Sequence, residues 1–417
     1  MTMHVVGAGI AGLAAAVRLA DRNREVVLHE ATGEAGGRCR SYYDTSLDTV
    51  IDNGNHLLLS GNAQALTYLR LIGTEDQLAG PDEVAFDFVD LASSQRWQLL
   101  PNQGRLPWWV LSPGRRVPGT KASQYASFAR LFFAKPDATV GTSMACAGPV
   151  FDRLWRPLLL AALNTEPAEA SAGLAAAVLR ETLVLGGRSC RPLVEINGLS
   201  RTFVDPAIGF LSRRKADIRL GHRLRSVSFS GYRATRLVFG DDVAVLGPHD
   251  QAIIAVPAWT AAEMLPGLLV PTEQRAIVNG HFKMAAPPGC PMLLGVLNGT
   301  IEWIFAFADR LSVTVSAADR LLDMRRETLA DVFWRDIQAA IGLAAPLPPW
   351  QIIKEKRATF AALPSENRKR PPAKTMWGNL FLAGDFTATG LPATIEGAVR
   401  SGFRAADLAI AAEPTSA

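Results

Sequence analysis

The chain has 417 residues, 48% of them hydrophobic and 20% charged, with a net charge of +4. That length exceeds one compact core and suits two intertwined lobes, and the composition excludes a disordered chain. No run of about 18 uncharged apolar residues is present, so no membrane-spanning helix is expected. Residues 1–20 are apolar, but glycines break them and no basic leader precedes them, so they read as folded protein rather than a signal peptide. Cys39, Cys146, Cys190 and Cys290 form no CxxC pair, and the six histidines show no HxxxH or HExxH spacing. Neither a disulfide framework nor a protein-bound metal is expected, and a reduced cytoplasmic protein fits. The mild basic excess is ordinary, and is also compatible with resting on an anionic membrane surface.

In chain order, residues 4–6 read as a short strand, 11–21 as an Ala/Leu-rich helix and 25–29 as a second strand ending at Glu30. Residues 60–200 read as mostly helical, with loops rich in Pro, Gly and Trp around 101–120. From 217 to 256 the pattern changes to short alternating strands, with turn signals at Ser230-Gly231, Gly240-Asp241 and Gly247-Pro248. A long helix is expected over 322–341, a basic Pro-rich loop over 364–374, a strand over 379–383 and a last helix from about Thr394. The expected fold is α/β: a discontinuous Rossmann-like domain (1–65, 201–262 and 373–417) with an interleaved α+β substrate domain (66–200 and 263–372).

Gly7-Ala8-Gly9-Ile10-Ala11-Gly12 is a full GxGxxG between strand and helix. Gly7 permits the tight turn, Gly9 lets backbone approach a pyrophosphate, and Gly12 lets helix and strand pack closely. The helix N-terminus then offers N–H groups to the anion. Glu30 lies 18 residues past Gly12, where a carboxylate binds a ribose hydroxyl pair and argues against a 2′-phosphate. The ligand read from these residues is an adenine dinucleotide, NAD or FAD. Gly36-Gly37-Arg38 follows, with Arg38 able to pair with a diphosphate. Near the other end, Leu382-Ala383-Gly384-Asp385 precedes a helix beginning near Thr394 and Ile395, whose N–H groups suit the negative pyrimidine edge of a reduced flavin.

GAGIAG, Glu30, GGR, AGD and the PATIEGA helix together resemble the FAD-dependent amine oxidase and phytoene desaturase superfamily. Within it, Asp52–Leu59 (DNGNHLLL), Leu163-Asn164-Thr165-Glu166-Pro167, Ala358-Thr359-Phe360, Ala383–Thr387 (AGDFT) and Gly390–Gly402 resemble the hydroxysqualene dehydroxylases. The resemblance spans nearly the whole chain, with Asn55 standing where Gln is expected. It implies non-covalent FAD. Gly7, Gly9, Ile10, Ala11 and Gly12 would line the pyrophosphate, and Glu30, with Ala31 beside it, would hold the adenosine ribose. Gly37 and Arg38 would run beside diphosphate and flavin. Gly54, Asn55, His56 and Leu57 would pass near the isoalloxazine, Val227 would meet the adenine through its backbone, and Gly384, Asp385, Thr394 and Ile395 would close the site.

The resemblance further implies reductive dehydroxylation of hydroxysqualene to squalene, a step toward hopanoids and triterpenoids. An allylic alcohol would ionise and take hydride from the flavin in a dry apolar pocket. His56 is the candidate acid, since an imidazole near neutrality suits acid catalysis, with Asp52 either orienting it or capping a turn. The five tyrosines, none after Tyr232, speak against the aromatic cage of an amine oxidase. A carotenoid-type desaturase, a flavin amine oxidase and a non-enzymatic FAD-bound carrier remain alternatives. The expected partners are a long apolar isoprenoid and an electron donor, with no nucleic acid. Leu106–Leu111, Arg115-Arg116, Phe128 and Arg130–Lys135 combine aromatics with cations, as at a bilayer interface. The expected location is therefore cytoplasmic, peripheral on the inner membrane.

Overall fold

The computed structural model describes residues 1–412; residues 413–417 of the expected last segment lie outside it. Five strands form a parallel sheet in the order Asp217–Arg219, Glu25–His29, Thr2–Val6, Gln251–Ile254, Leu380–Leu382. Apart from the edge strand Asp217–Arg219, these strands are short and mainly apolar, because both faces are covered. Helices Ile10–Asp21, Ala63–Ile72, Asp205–Arg213 and Ile395–Ala411 cover one face. An antiparallel sheet of Ser226–Ser230, Arg233–Phe239 and Asp242–Val245 covers the other. The sheet thus takes strands from all three expected sequence segments, and it is Rossmann-like α/β.

The second lobe is built on a seven-stranded mixed sheet, in the order Trp350–Phe360, Gln274–Phe282, Leu311–Val315, Trp303–Ala306, Leu293–Leu297, Phe86–Asp90, Gln95–Leu99. Helix Arg326–Ile341 buries Leu329, Phe333, Trp334 and Ile337 against one face. The other face carries Trp303, Phe305 and Phe360 into an apolar cluster with residues from 109 to 194. Among the described residues, no helix is long and apolar enough to cross a membrane.

Three expectations need correction. Residues 60–200 are not mostly helical: Phe86–Asp90 and Gln95–Leu99 form a hairpin on the seven-stranded sheet, and 106–133 holds no α-helix, only two short 3₁₀ turns and the 12-residue 3₁₀ segment Ala122–Phe133. A break at 65 would cut helix Ala63–Ile72, whose Ala65, Tyr68, Leu69 and Ile72 belong to the first core, and one at 262 would cut helix Ala258–Met264. The stretch 364–374 is not wholly loop, since Pro364–Arg368 is helical and Arg370 is buried.

The first and last helices pack against one another with Gly402 at the crossing. A Cβ there would lie 2.2 Å from the Ala11 carbonyl oxygen and 2.9 Å from Ala15 N, backbone atoms that cannot step aside. Gly402→Val should therefore destabilise the fold by about 3 kcal/mol, the upper range for overpacking. Urea unfolding followed by tryptophan fluorescence checks this, and an unchanged midpoint would show that the helices tolerate separation.

Candidate active site

The glycine turn is built by backbone bonds. Gly7 N donates to His29 O at 2.7 Å and Gly36 N to Ala8 O at 2.8 Å. Gly7 has φ 105°, and a Cβ on it would meet the Ala255 carbonyl oxygen at 2.5 Å, so only glycine serves. Helix Ile10–Asp21 starts at Gly9 with no side-chain cap and no acid in its first turn, leaving its N–H groups available to an anion. A Cβ on Gly9 would meet nothing within 4 Å, so this side of the turn is open. Glu30 accepts from Ala8 N at 2.8 Å through one oxygen, and from Thr32 N at 2.9 Å and Thr32 Oγ1 at 3.0 Å through the other. Its carboxylate thus stands at the turn itself, with Ala31 following. Val227 sits on the three-stranded sheet, its side chain in the core with Val6 and Leu380.

The C-terminal half of the site converges on the same place. Arg38 Nη2 pairs with Asp385 Oδ2 at 2.7 Å, and Nη1 donates to the Ala358 carbonyl at 2.6 Å. Its guanidinium ties Gly37 to Gly384-Asp385, and the Asp385 carboxylate raises its pKa. Ser401 Oγ accepts from Gly384 N at 2.8 Å. Arg370, 6% exposed, donates to the carbonyls of Asp385 and Thr387 and to Thr389 Oγ1, and lies over the Phe360 ring. Thr394 caps helix Ile395–Ala411 by accepting from Gly397 N at 3.0 Å, so the Ile395 end of that helix points a second positive terminus at the site.

Between these halves runs Gly54-Asn55-His56-Leu57. Asn55 Nδ2 donates to Thr314 Oγ1 at 3.0 Å and to Val313 O at 3.2 Å, and Thr314 Oγ1 donates to Asn279 Oδ1 at 2.8 Å. A Cβ on Gly54 would lie 3.1 Å from Asn279 Nδ2. The second lobe therefore positions this segment. Leu57 and Ala393 pack on the apolar cluster of Leu159, Leu163, Trp303 and Phe305. Within the second lobe Asn164 ties the helical segment to the seven-stranded sheet, donating to Thr359 Oγ1 at 2.9 Å and accepting from Ala317 N at 2.7 Å.

Comparison with known proteins decides the family. The family described as flavin containing amine oxidoreductase matches residues 10–410. A hydroxysqualene dehydroxylase of Rhodopseudomonas palustris is 54% identical over 412 residues, covering 99% of both chains. One from Sinorhizobium fredii is 53% identical over 408 residues, covering 98% of both. The chain belongs to the hydroxysqualene dehydroxylases, within the flavin containing amine oxidoreductase family. In fold it resembles cyclohexylamine oxidase from Brevibacterium oxydans, with TM-score 0.71, 16% identity and 98% of both chains covered. It is an FAD-dependent oxidoreductase. The residues present fit that cofactor: an uncapped helix N-terminus and the open side of Gly9 for the pyrophosphate, Glu30 for the ribose, and the Ile395 terminus for the flavin ring.

The family's site changes the reading of His56. Burial and the neighbouring Arg38 charge lower its pKa to about 4, which favours the neutral imidazole over an imidazolium acid at physiological pH. Asp52 does not orient it: that carboxylate accepts from Ser41 Oγ at 2.6 Å and Leu199 N at 2.8 Å, and lies 3.5 Å from Arg310 Nη2. Sequence reasoning missed Asn279, Thr314 and Arg370. Alternation in the strands Gln274–Phe282 and Leu311–Val315 could have flagged polar Asn279 and Thr314 on a buried face.

Two outcomes follow from the imidazoles. The pH profile of turnover between pH 6 and 8 should keep its shape in His56→Gln; a limb near pH 6.5 in the parent that vanishes in the variant would restore the acid role. Burial also lowers His29 and His281 to about 3. The unfolded chain then binds protons that the folded chain refuses, so stability is complete above about pH 6.5 and declines as pH falls toward 4. Urea midpoints at pH 7 and pH 5 should show that decline, and equal midpoints would contradict it.

Proposed function

We propose that the protein reductively dehydroxylates hydroxysqualene to squalene, a precursor of hopanoids and other triterpenoids. The support is the near-full-length similarity to hydroxysqualene dehydroxylases, joined to one structural observation: the wall beside the flavin segments is apolar. Leu57 and Ala393 lead directly into the cluster of Leu159, Leu163, Trp303, Phe305 and Phe360. Such a wall solvates a polyisoprenoid and denies water to an allylic cation. An amine substrate would find little there to pair with its charge.

Bound FAD in its reduced form supplies the hydride in this reading. The chain's own share is placement and exclusion. The carbon–oxygen bond of the allylic alcohol breaks with the hydroxyl leaving as water, and the Asn55–Thr314–Asn279 network holds the neighbouring backbone rigid while it does. The step takes up one proton, which departs in the leaving water, and with the His56 pKa lowered to about 4 an imidazolium there is a poor source of it. A separate electron donor recharges the flavin. The isoprenoid resides in a bilayer, so the protein works in the cytoplasm, attached peripherally to the inner membrane.

Product analysis under anaerobic conditions tests the reading. Dithionite-reduced protein with hydroxysqualene should yield squalene and return the oxidised flavin spectrum. Bleaching of oxidised protein by a phytoene-like substrate, with no squalene formed, would assign a desaturase instead.

A further inference from the structure

Between strand Gln95–Leu99 and the helix starting at Val140, the chain forms a strap of 3₁₀ segments, Trp108–Leu111, Pro113–Arg115 and Ala122–Phe133. Its inner side is anchored. Trp109, Val117, Tyr125 and Leu131 are buried, Trp109 N donates to Asn102 Oδ1 at 3.2 Å, and Tyr125 Oη accepts from Val117 N at 2.9 Å. Its outer side is the reverse of a normal surface: Leu106 is 81% exposed, Leu111 69%, Phe133 87% and Trp108 52%. Large apolar side chains shown together on an ordered backbone mark a contact face.

Charge says what the contact is with. From 101 to 139 the strap carries Arg105, Arg115, Arg116, Lys121, Arg130 and Lys135 against the single acid Asp137. Six cations less one acid make +5 over this stretch. Apolar tips ringed by Arg and Lys, with a Trp among them, match the boundary between acyl chains and anionic headgroups. Arg115 lies over the Trp108 ring at 5.0 Å, keeping cation and aromatic together at that level. Behind the strap is a cavity of about 370 Å³, lined by Trp109, Val110, Tyr125, Phe128, Phe132 and Trp155 among others. Trp109, Tyr125 and Trp155 belong to the same apolar cluster that Leu57 and Ala393 pack against.

We propose that this strap seats on an anionic bilayer through Leu106, Trp108, Leu111 and Phe133, and that the cavity behind it is the mouth through which an isoprenoid passes from lipid toward the flavin. The substrate class rests on the function proposed above; the membrane face does not. The test uses FAD-loaded protein, floated on phosphatidylcholine vesicles with and without phosphatidylglycerol. The wild type should float with the anionic vesicles and release at high salt. The combined variant Leu106→Ser, Trp108→Ser, Leu111→Ser and Phe133→Ser should partition about tenfold less. It should keep its flavin absorbance and its turnover of detergent-dispersed hydroxysqualene, yet lose turnover of vesicle-borne substrate. A wild type that floats on neither vesicle, as expected of a protein-docking patch, or a variant that floats like the wild type, overturns the face. Ala126→Trp narrows the mouth without altering the exposed tips; it should float normally and turn over either form of substrate about tenfold more slowly, a loss of about 1.4 kcal/mol in barrier terms. Full turnover in Ala126→Trp overturns the mouth. No conversion by the wild type in detergent overturns the proposed function and leaves the flotation result standing.

Discussion

Helix Ile395–Ala411 lies on helix Ile10–Asp21 at backbone contact, with Gly402 against the carbonyl of Ala11, and Arg18 pairs with Asp407 at 3.0 Å farther along the same crossing. Everything that makes the FAD site depends on that contact. It brings the last strand, Leu380–Leu382, onto the sheet begun by Thr2–Val6, through Gln251–Ile254 between them. It also sets the N-terminus of each helix toward one cleft, so that two positive helix ends address one cofactor from opposite ends of the chain.

Charged side chains hold the two halves in register. Arg38 reaches across to Asp385, and Arg370 grips the backbone of the loop that carries Asp385. Burial lowers Arg370 to about 10, still charged at neutral pH, so its bonds to carbonyl oxygens stay charge-assisted. A further buried group lies beneath the flavin segment: Asp52 with Arg310, and Glu195 near them, its carboxyl pushed well up by burial and by the Asp52 charge. Both push Glu195 toward its protonated form, which eases the placing of a second carboxyl group beside Asp52. Burial first, and then the positive charge of Arg38, lower the His56 pKa to about 4. The site is thus arranged to hold a cofactor firmly and to shield an apolar reactant, with the neutral imidazole favoured at His56.

The second lobe contributes shape. Its seven-stranded sheet offers a polar patch, Asn279 and Thr314, to the backbone of Gly54-Asn55, and an apolar remainder, Trp303, Phe305 and Phe360, to the chamber. The same cluster continues outward beneath the strap at 101–139. One continuous apolar cluster therefore runs from Leu57 and Ala393 to Trp109, Tyr125 and Leu131 on the inner side of the strap.

The glycine turn, Glu30, the Gly384-Asp385 strand end and the last helix were legible in the sequence, because each is a local pattern: a strand, a turn that only glycine can make, and a helix of 3.6-residue period. Strand 25–29 and the Thr394 cap fell where the residues said they would for the same reason. The hairpin Phe86–Asp90 with Gln95–Leu99 was also locally written, in its alternation and its Ser93-Ser94 turn, but the Ala-rich helices around it masked the period. What the sequence by itself determined is the nucleotide fold, the cofactor class and, by resemblance, the family. Only the tertiary structure decided that Arg38 faces Asp385, that Asp52 serves Ser41 and Leu199 instead of His56, and that the His56 pKa is lowered. Ionisation and pairing depend on burial and on partners that folding brings together, Asp385 from 347 residues beyond Arg38, and no local pattern encodes a distance that folding alone creates.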